Sequence, residues 1–251
     1  MTHPAIILVN PQMGENIGAV ARAMMNFGLR DLRIVAPRDG WPNPAADAMA
    51  AHGLPIIESA KLYATTREAV ADLHYVYAST ARDRRIHKPQ LSPREASQDG
   101  VSRARAGQNI GILYGPERSG LENEDIALAH AILTIPTDEK YSSLNIAQSA
   151  VVIAYEWWVA GLTGDGSSDS QEANHGAKKD SLPATGEQVD LFFGHLEAAL
   201  DRTNFFKLDE KKPHMWRNLR STFLRAELSE QEVHTLRGML SALEKGDKRP
   251  K

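Results

Sequence analysis

The chain has 251 residues, of which 42% are apolar and 24% charged, and it contains no cysteine; this suits a globular protein with ample core and excludes disulfides and thiolate metal sites. No apolar run approaches the ~20 residues that span a bilayer, and the opening Met1-Thr2-His3-Pro4 lacks the basic and apolar regions of a secretory leader, so a cytoplasmic protein is expected. The net charge of −3 is uneven: residues 202–251 hold 12 Lys+Arg against 7 Asp+Glu, a balance of +5, which leaves 17 against 25, or −8, for residues 1–201. A basic tail on an acidic body fits either a polyanion partner or a solvated face.

In chain order, Ala5-Ile6-Ile7-Leu8-Val9 is a continuous apolar run of the kind found in buried parallel strands. Ile17, Val20, Ala21 and Met24 then recur at helical spacing until Gly28 stops the helix. Asn16 stands at the start of that helix and Arg22 lies away from its apolar stripe. A helix N-terminus after a strand favours anions, although Asn16 serves equally as a cap and Arg22 as a surface charge. Leu32 to Pro37 reads as a second strand, Trp41-Pro42-Asn43-Pro44 as a loop and Ala45 to Ala51 as a helix. Ile56-Ile57 reads as a short strand, and Thr65-Thr66-Arg67-Glu68 as a capping box opening a helix through Leu73.

Tyr75-Val76-Tyr77-Ala78 is another buried strand, ending in Ser79-Thr80-Ala81. Small hydroxylated residues at the carboxyl end of such a strand are where open α/β sheets bind ligands. Arg82, Arg84, Arg85, His87 and Lys88 follow as a basic loop, suited to phosphate contact or to plain solvation. Ser92-Pro93-Arg94-Glu95 is a second capping box. Asn109 to Tyr114 is a strand leading into Gly115-Pro116-Glu117-Arg118-Ser119-Gly120-Leu121, where glycines permit close backbone approach to a ligand and Glu117 and Arg118 offer charges.

Glu122 to Asp125 begins a short helix and Ala131 to Ile135 forms the last strand. From Ile135-Pro136 the chain becomes polar through Tyr141-Ser142-Ser143-Leu144-Asn145, then enters an apolar helix with Ser143 as the expected cap. Leu144, Ala147, Val151, Tyr155 and Trp158 keep helical spacing there, which suits a core or a subunit interface. The alternation of strands and helices predicts an α/β fold on a parallel sheet.

Three ordered segments carry a family resemblance: Asn16-Ile17-Gly18-Ala19-Val20-Ala21-Arg22, Tyr114 to Leu121, and Ile135-Pro136 with Tyr141-Ser142-Ser143-Leu144-Asn145. Together they resemble the motifs of the SPOUT RNA methyltransferases, over about residues 4 to 160. Within that superfamily the chain is most similar to the TrmJ branch of the TrmH-like ribose 2′-O-methyltransferases, through Ser79-Thr80-Ala81-Arg82 and a C-terminal helical extension containing Leu236-Arg237-Gly238-Met239-Leu240. The resemblance implies a parallel sheet with a C-terminal trefoil knot, an exception to the rule against threaded chains. It also implies S-adenosylmethionine as methyl donor; the sequence itself requires no metal.

Carried over residue by residue, Ser79, Thr80, Ala81, Gly115, Ile135, Ser142, Ser143 and Leu144 fall on cofactor-contacting positions, while Asn16, Arg22, Glu117, Ser143 and Asn145 fall on catalytic and substrate-positioning ones. The family's dimer implies a homodimer with Arg22 reaching the partner's cofactor loop. The branch implies tRNA as substrate, methylated at the ribose of a cytidine or uridine at nucleotide 32 of the anticodon loop. A ribosomal RNA target and a catalytically inactive RNA-binding protein are the alternatives.

Residues 1–162 are therefore expected to form the methyltransferase domain, 163–186 a Gly/Ser/Asp-rich linker and 187–251 a small helical module. Lys207, Lys211, Lys212, Arg217, Arg220 and Arg225 make that module basic, with Phe205, Phe206 and Trp216 interleaved as expected core.

Overall fold

The computed structural model describes residues 3–81, 88–138, 140–141, 143–163, 182–206 and 211–246. The chain forms two compact units, Met1–Asn174 and His175–Lys251. In chain order the first holds β1 (Ala5–Val9), α1 (Gly14–Asn26), β2 (Leu32–Val35), α2 (Pro44–Ala50), α3 (Leu54–Glu58), β3 (Lys61–Tyr63), α4 (Thr66–Ala69) and β4 (Tyr75–Ser79). It continues with β5 (Gln90–Leu91), α5 (Pro93–Arg105), β6 (Ile110–Tyr114), α6 (Asn123–Leu128), β7 (Ala131–Leu133) and α7 (Ile146–Thr163).

The strands form one sheet in the order β3-β2-β1-β6-β4-β7-β5, and every pairing is parallel. Strands inside such a sheet are covered on both faces, which is why β1, β2 and β6 are buried at every position. Alternate side chains sort into two layers. Ile6, Leu8, Ile34, Tyr77 and Ile112 pack with residues of α1, α5 and α7, while Ile7, Val9, Val76, Ala78 and Leu113 pack with Ala69 of α4 and Ile126 of α6. Burial of each large apolar side chain contributes roughly 1.5–3 kcal/mol, so the two layers fix the register of the sheet and with it the height of the loops at its carboxyl edge.

One polar exception lies on β2. Arg33 is buried, donates to Ala69 O at 2.8 Å, and is paired with Asp31 at 2.8 Å and with Asp72. Burial opposes the Arg33 charge, but the two carboxylates outweigh it and hold its pKa above the ordinary value.

Several local expectations need correction. Ile56-Ile57 lies in helix α3, opened by Pro55 in its first turn, and the strand of this region is β3, which is mostly exposed at the sheet edge. Thr65 does cap a helix, with Glu68 N donating to its hydroxyl at 3.2 Å, but that helix ends at Ala69. The Ser92–Glu95 box closes as expected. Lys88 is not a solvated phosphate ligand: it is 8% exposed and its ammonium donates to Ala129 O. The other members of that basic loop, Arg82, Arg84, Arg85 and His87, lie outside the described residues.

The second unit contains α8 (Gly186–Arg202), α9 (Lys212–Arg225) and α10 (Glu230–Gly246). Capping boxes at Thr185 with Gln188 and at Ser229 with Glu232 set the starts of α8 and α10. Phe192, Phe193 and Val233 form its core, with Trp216 and Phe223 against them. Phe206 is buried as expected, whereas Phe205 is 45% exposed. Its basic residues divide by role: Arg220 is buried in a pair with Asp190 and over the Phe193 ring, and Lys212 holds Asp201 and Glu197, while Lys211 and Arg225 are exposed. Lys207 and residues 164–181 of the expected linker lie outside the described residues. Among the described residues, no helix is long and apolar enough to cross a membrane.

Candidate active site

A cleft of about 360 Å³ opens at the carboxyl edge of the sheet. Ser79, Thr80 and Ala81 line it from the end of β4, Tyr114 to Arg118 and Gly120 from the end of β6, and Ile135 from the segment after β7. Ser143, Leu144, Ile146 and Ser149 close it from the start of α7. Two of these segments, those after β4 and β7, are tied to each other. Thr80 N donates to Leu133 O at 3.1 Å, and the Thr134 hydroxyl donates to Thr80 O at 3.1 Å.

The two glycines of the 115–120 loop have local reasons to be glycine. A Cβ on Gly115 would lie 2.1 Å from Leu121 N, so the loop can fold back on itself only without one. Gly120 sits at φ +66, the left-handed region that disfavours side chains. The close approach read from the sequence as serving a ligand is thus first of all an approach of the loop to its own backbone.

Glu117 leaves this loop and binds the entrance of α1. Its Oε2 accepts from Gln12 N at 2.9 Å, and its Oε1 accepts from Met13 N at 3.3 Å and from Asn16 Nδ2 at 2.8 Å. The residue preceding α1 is Met13, which offers no side-chain cap, so a carboxylate from a distant loop satisfies donors near the positive end of the helix. Asn16 is therefore not the cap but a side chain of the first turn, turned toward Glu117. Its Oδ1 in turn accepts from Asn145 Nδ2 at 3.0 Å.

Asn145 is the cap of α7. Its Oδ1 accepts from Ala147 N at 2.8 Å, the geometry of an N-cap, and this corrects the assignment of the cap to Ser143. Each Asn amide thus has one end accepting and the other donating, which fixes its orientation. The result is an unbroken chain, Glu117 to Asn16 to Asn145, that draws the three motifs together beside the cleft.

Arg22 lies six residues beyond Asn16 on α1, exposed and away from the cleft lining. Among the described residues, no hydrogen bond or ion pair engages its guanidinium. Ser142 lies outside the described residues. The remaining candidates, Ser79, Thr80, Ala81, Gly115, Glu117, Ile135, Ser143 and Leu144, all line the cleft. The sequence reading missed Ser149; it sits one turn after Asn145, with Ser149 N donating to Asn145 O at 3.0 Å, so helical spacing could have placed it there.

The lining matches the chemistry of a nucleoside-containing methyl donor. Ile135, Leu144 and Ile146 supply apolar surface for a flat ring, Ser79, Thr80, Ser143 and Ser149 supply hydroxyls, and Glu117 supplies negative charge. The volume falls in the usual range for small-molecule sites. At the carboxyl end of β6 the Tyr114 hydroxyl is buried and, among the described residues, has no hydrogen-bond partner; burial pushes its pKa up.

A parallel sheet with its polar loops gathered around a carboxyl-edge cleft is an α/β architecture that binds ligands at that edge, and its particular class follows from comparison. Residues 3–155 match the model of the SpoU rRNA Methylase family, and the chain belongs to that family. Residues 187–251 match the C-terminal domain of the tRNA methyltransferase TrmJ. The chain is 33% identical over 242 residues to the tRNA (cytidine/uridine/adenosine-2′-O-)-methyltransferase TrmJ of Pseudomonas aeruginosa, covering 96% of this chain and 93% of that protein. It is 36% identical to the tRNA (cytidine/uridine-2′-O-)-methyltransferase TrmJ of Cronobacter sakazakii, with 95% of each chain covered. The crystal structure of TrmJ from Z. mobilis ZM4 superposes with a TM-score of 0.85 at 43% identity, covering 96% of this chain and 99% of that one.

Proposed function

We propose that the protein transfers a methyl group from S-adenosylmethionine to a ribose 2′-hydroxyl of tRNA, at a cytidine or uridine at position 32 of the anticodon loop. The observation that carries this reading is the Glu117–Asn16–Asn145 chain, which joins three distant motifs beside one cleft of cofactor size. Similarity to tRNA 2′-O-methyltransferases over both units supports the choice of substrate.

In this reading Ser79, Thr80, Ala81, Gly115, Ile135, Ser142, Ser143 and Leu144 hold the cofactor, within loops joined in a trefoil knot. When bound, S-adenosylmethionine supplies an electrophilic sulfonium methyl. Asn16, Asn145 and Ser143 present polar groups to the ribose, and Glu117 fixes Asn16 directly and Asn145 through it. A guanidinium carries only donors, so Arg22 orients the reacting hydroxyl and a neighbouring phosphate instead of taking the proton. Since Arg22 is exposed on α1, the reading places it in the cleft of a second subunit of a homodimer. Val151, Val152, Tyr155, Trp158 and Leu162 support that arrangement, as an exposed apolar stripe on α7. Residues 1–162 act as the catalytic domain, 163–186 as a linker and 187–251 as the module that adds affinity for tRNA, in the cytoplasm.

The test is transfer of labelled methyl groups to unmodified tRNA transcripts, followed by mapping of the modified nucleotide. Label at a pyrimidine 32 ribose is the expected result. The family model's description favours ribosomal RNA as a second reading, and label confined to ribosomal RNA would establish it in place of the first. No transfer to either RNA would sink both.

A further inference from the structure

The three-residue chain beside the cleft has a fourth member that neither the motifs nor the comparisons assign. Asn145 is gripped at both its side chain and its backbone: Oδ1 accepts from Ala147 N at 2.8 Å, and its own N donates to Gln148 Oε1 at 3.2 Å. Gln148, the third helical residue, thus makes the return half of a capping box, its side chain accepting from the cap's own N–H, while the cap's side chain accepts from the second helical residue. Among the described residues, Gln148 is the only side chain bonded to the Asn145 backbone. It is exposed and packs no core, so the capping bond is its evident structural work.

We infer that Gln148 is a positioning residue for the methyl-transfer site: by holding the Asn145 backbone it keeps the Asn145 amide turned so that Nδ2 reaches Asn16 Oδ1 at 3.0 Å, and through Asn16 it braces Glu117. Asn145 follows a polar loop whose nearer described ties are local turns, Tyr141 N to Asp138 O and Lys140 N to Asp138 Oδ1. Such turns do not fix the angle at which the chain enters α7. Ser149 N still holds Asn145 O without Gln148, but the Leu144–Asn145 peptide then loses its described tie and can rotate, and the carboxamide loses the orientation that its own cap bond and Asn16 require. The inference rests on the functional reading above for its kinetic consequence, but its structural content, the fixed Asn145 amide, stands apart from that reading.

Gln148→Ala and Gln148→Glu separate this role from simple helix stability, because glutamate retains the accepting oxygen and is also a normal partner in a capping box. Gln148→Ala is expected to lower kcat for methyl transfer about fivefold, with S-adenosylmethionine affinity within about twofold of wild type, while Gln148→Glu restores most of kcat. Side-chain amide signals of Asn16 and Asn145 in heteronuclear NMR give a readout independent of turnover. In Gln148→Ala both should move toward solvent-like positions, and in Gln148→Glu both should stay near their wild-type positions. Unmoved amide signals in Gln148→Ala, or a kcat equal to wild type, would overturn the proposal, as would a Gln148→Glu protein as impaired as Gln148→Ala. A wild-type protein inactive on every RNA but with the amide shifts as expected would remove the functional reading and leave the positioning role standing.

Discussion

Glu117 is the residue on which the site's geometry turns. It accepts three hydrogen bonds from the entrance of α1, and no neutral side chain of similar size can accept all three, since glutamine replaces one oxygen with a donor. Hydrogen bonds to a charged group are worth about 1.5–3 kcal/mol. Glu117→Ala should therefore lower kcat/KM for methyl transfer by about 10- to 100-fold, and Glu117→Gln should recover only part of the loss. Because Asn16 acts through the same carboxylate, Glu117→Ala with Asn16→Ala should be little worse than the poorer single variant. Additive losses in that cycle would show that the two side chains work separately.

At the scale of the element, β2 and the loop after α4 are joined by Arg33 and Asp72. Burial pushes the Asp72 carboxyl up, but the Arg33 hydrogen bond and charge more than offset this and hold its pKa below the ordinary value of 3.8. A carboxyl depressed in the folded state contributes stability that is complete above its unfolded pKa and is lost as pH falls through the folded one. Asp72 is largely solvent-facing, and Arg33 keeps Asp31 as a second partner. Asp72→Asn should then cost only about 1 to 3 °C in Tm at pH 7, and the gap to wild type should narrow as pH is lowered from 7 through the folded pKa of Asp72. Thermal melts across that range check it; a gap independent of pH would mean that the pair contributes nothing.

The same scale decides what could be read from the sequence. β1, β2, β4 and β6 are legible as apolar runs because they are covered on both faces. β3 and β5 are not, because Lys61-Leu62-Tyr63 and Gln90-Leu91 lie toward the sheet edges with little burial, and Ile56-Ile57 imitates a strand while serving a short helix. In the site, resemblance placed Asn16, Glu117 and Asn145, but not the bonds among them. The tie of Glu117 to Gln12 N and Met13 N, 105 and 104 residues away, leaves no local pattern, and a serine two residues before an asparagine made the cap of α7 ambiguous. The stripe on α7 was legible as apolar, yet spacing alone left core and interface open; the structure buries Ile153 and Trp157 and leaves Val151, Tyr155 and Trp158 out.

For the whole molecule, the proposed dimer and the proposed tRNA module have separable consequences. Removing residues 164–251 should weaken tRNA binding, flatten its salt dependence and spare cofactor binding, since it takes away exposed Lys211 and Arg225 but none of the cleft. Unchanged tRNA affinity after truncation would assign recognition to the catalytic domain. The dimer is tested by mixing subunits. If Arg22 of one subunit serves the cleft of the other, a heterodimer of Arg22→Ala with Asn145→Ala contains one cleft in which Asn145 is intact and Arg22 arrives from the partner, and one cleft lacking both. Each variant alone should be inactive, and co-refolding equal amounts should restore about a quarter of wild-type activity, because half of the random dimers are mixed and each of these has one working site of two. Tyr155→Asp, placed on the exposed stripe of α7, should shift sedimentation to monomer and abolish that recovery. Activity that stays at zero on mixing, while each variant still sediments as a dimer, would place Arg22 at its own subunit's site or outside the reaction altogether.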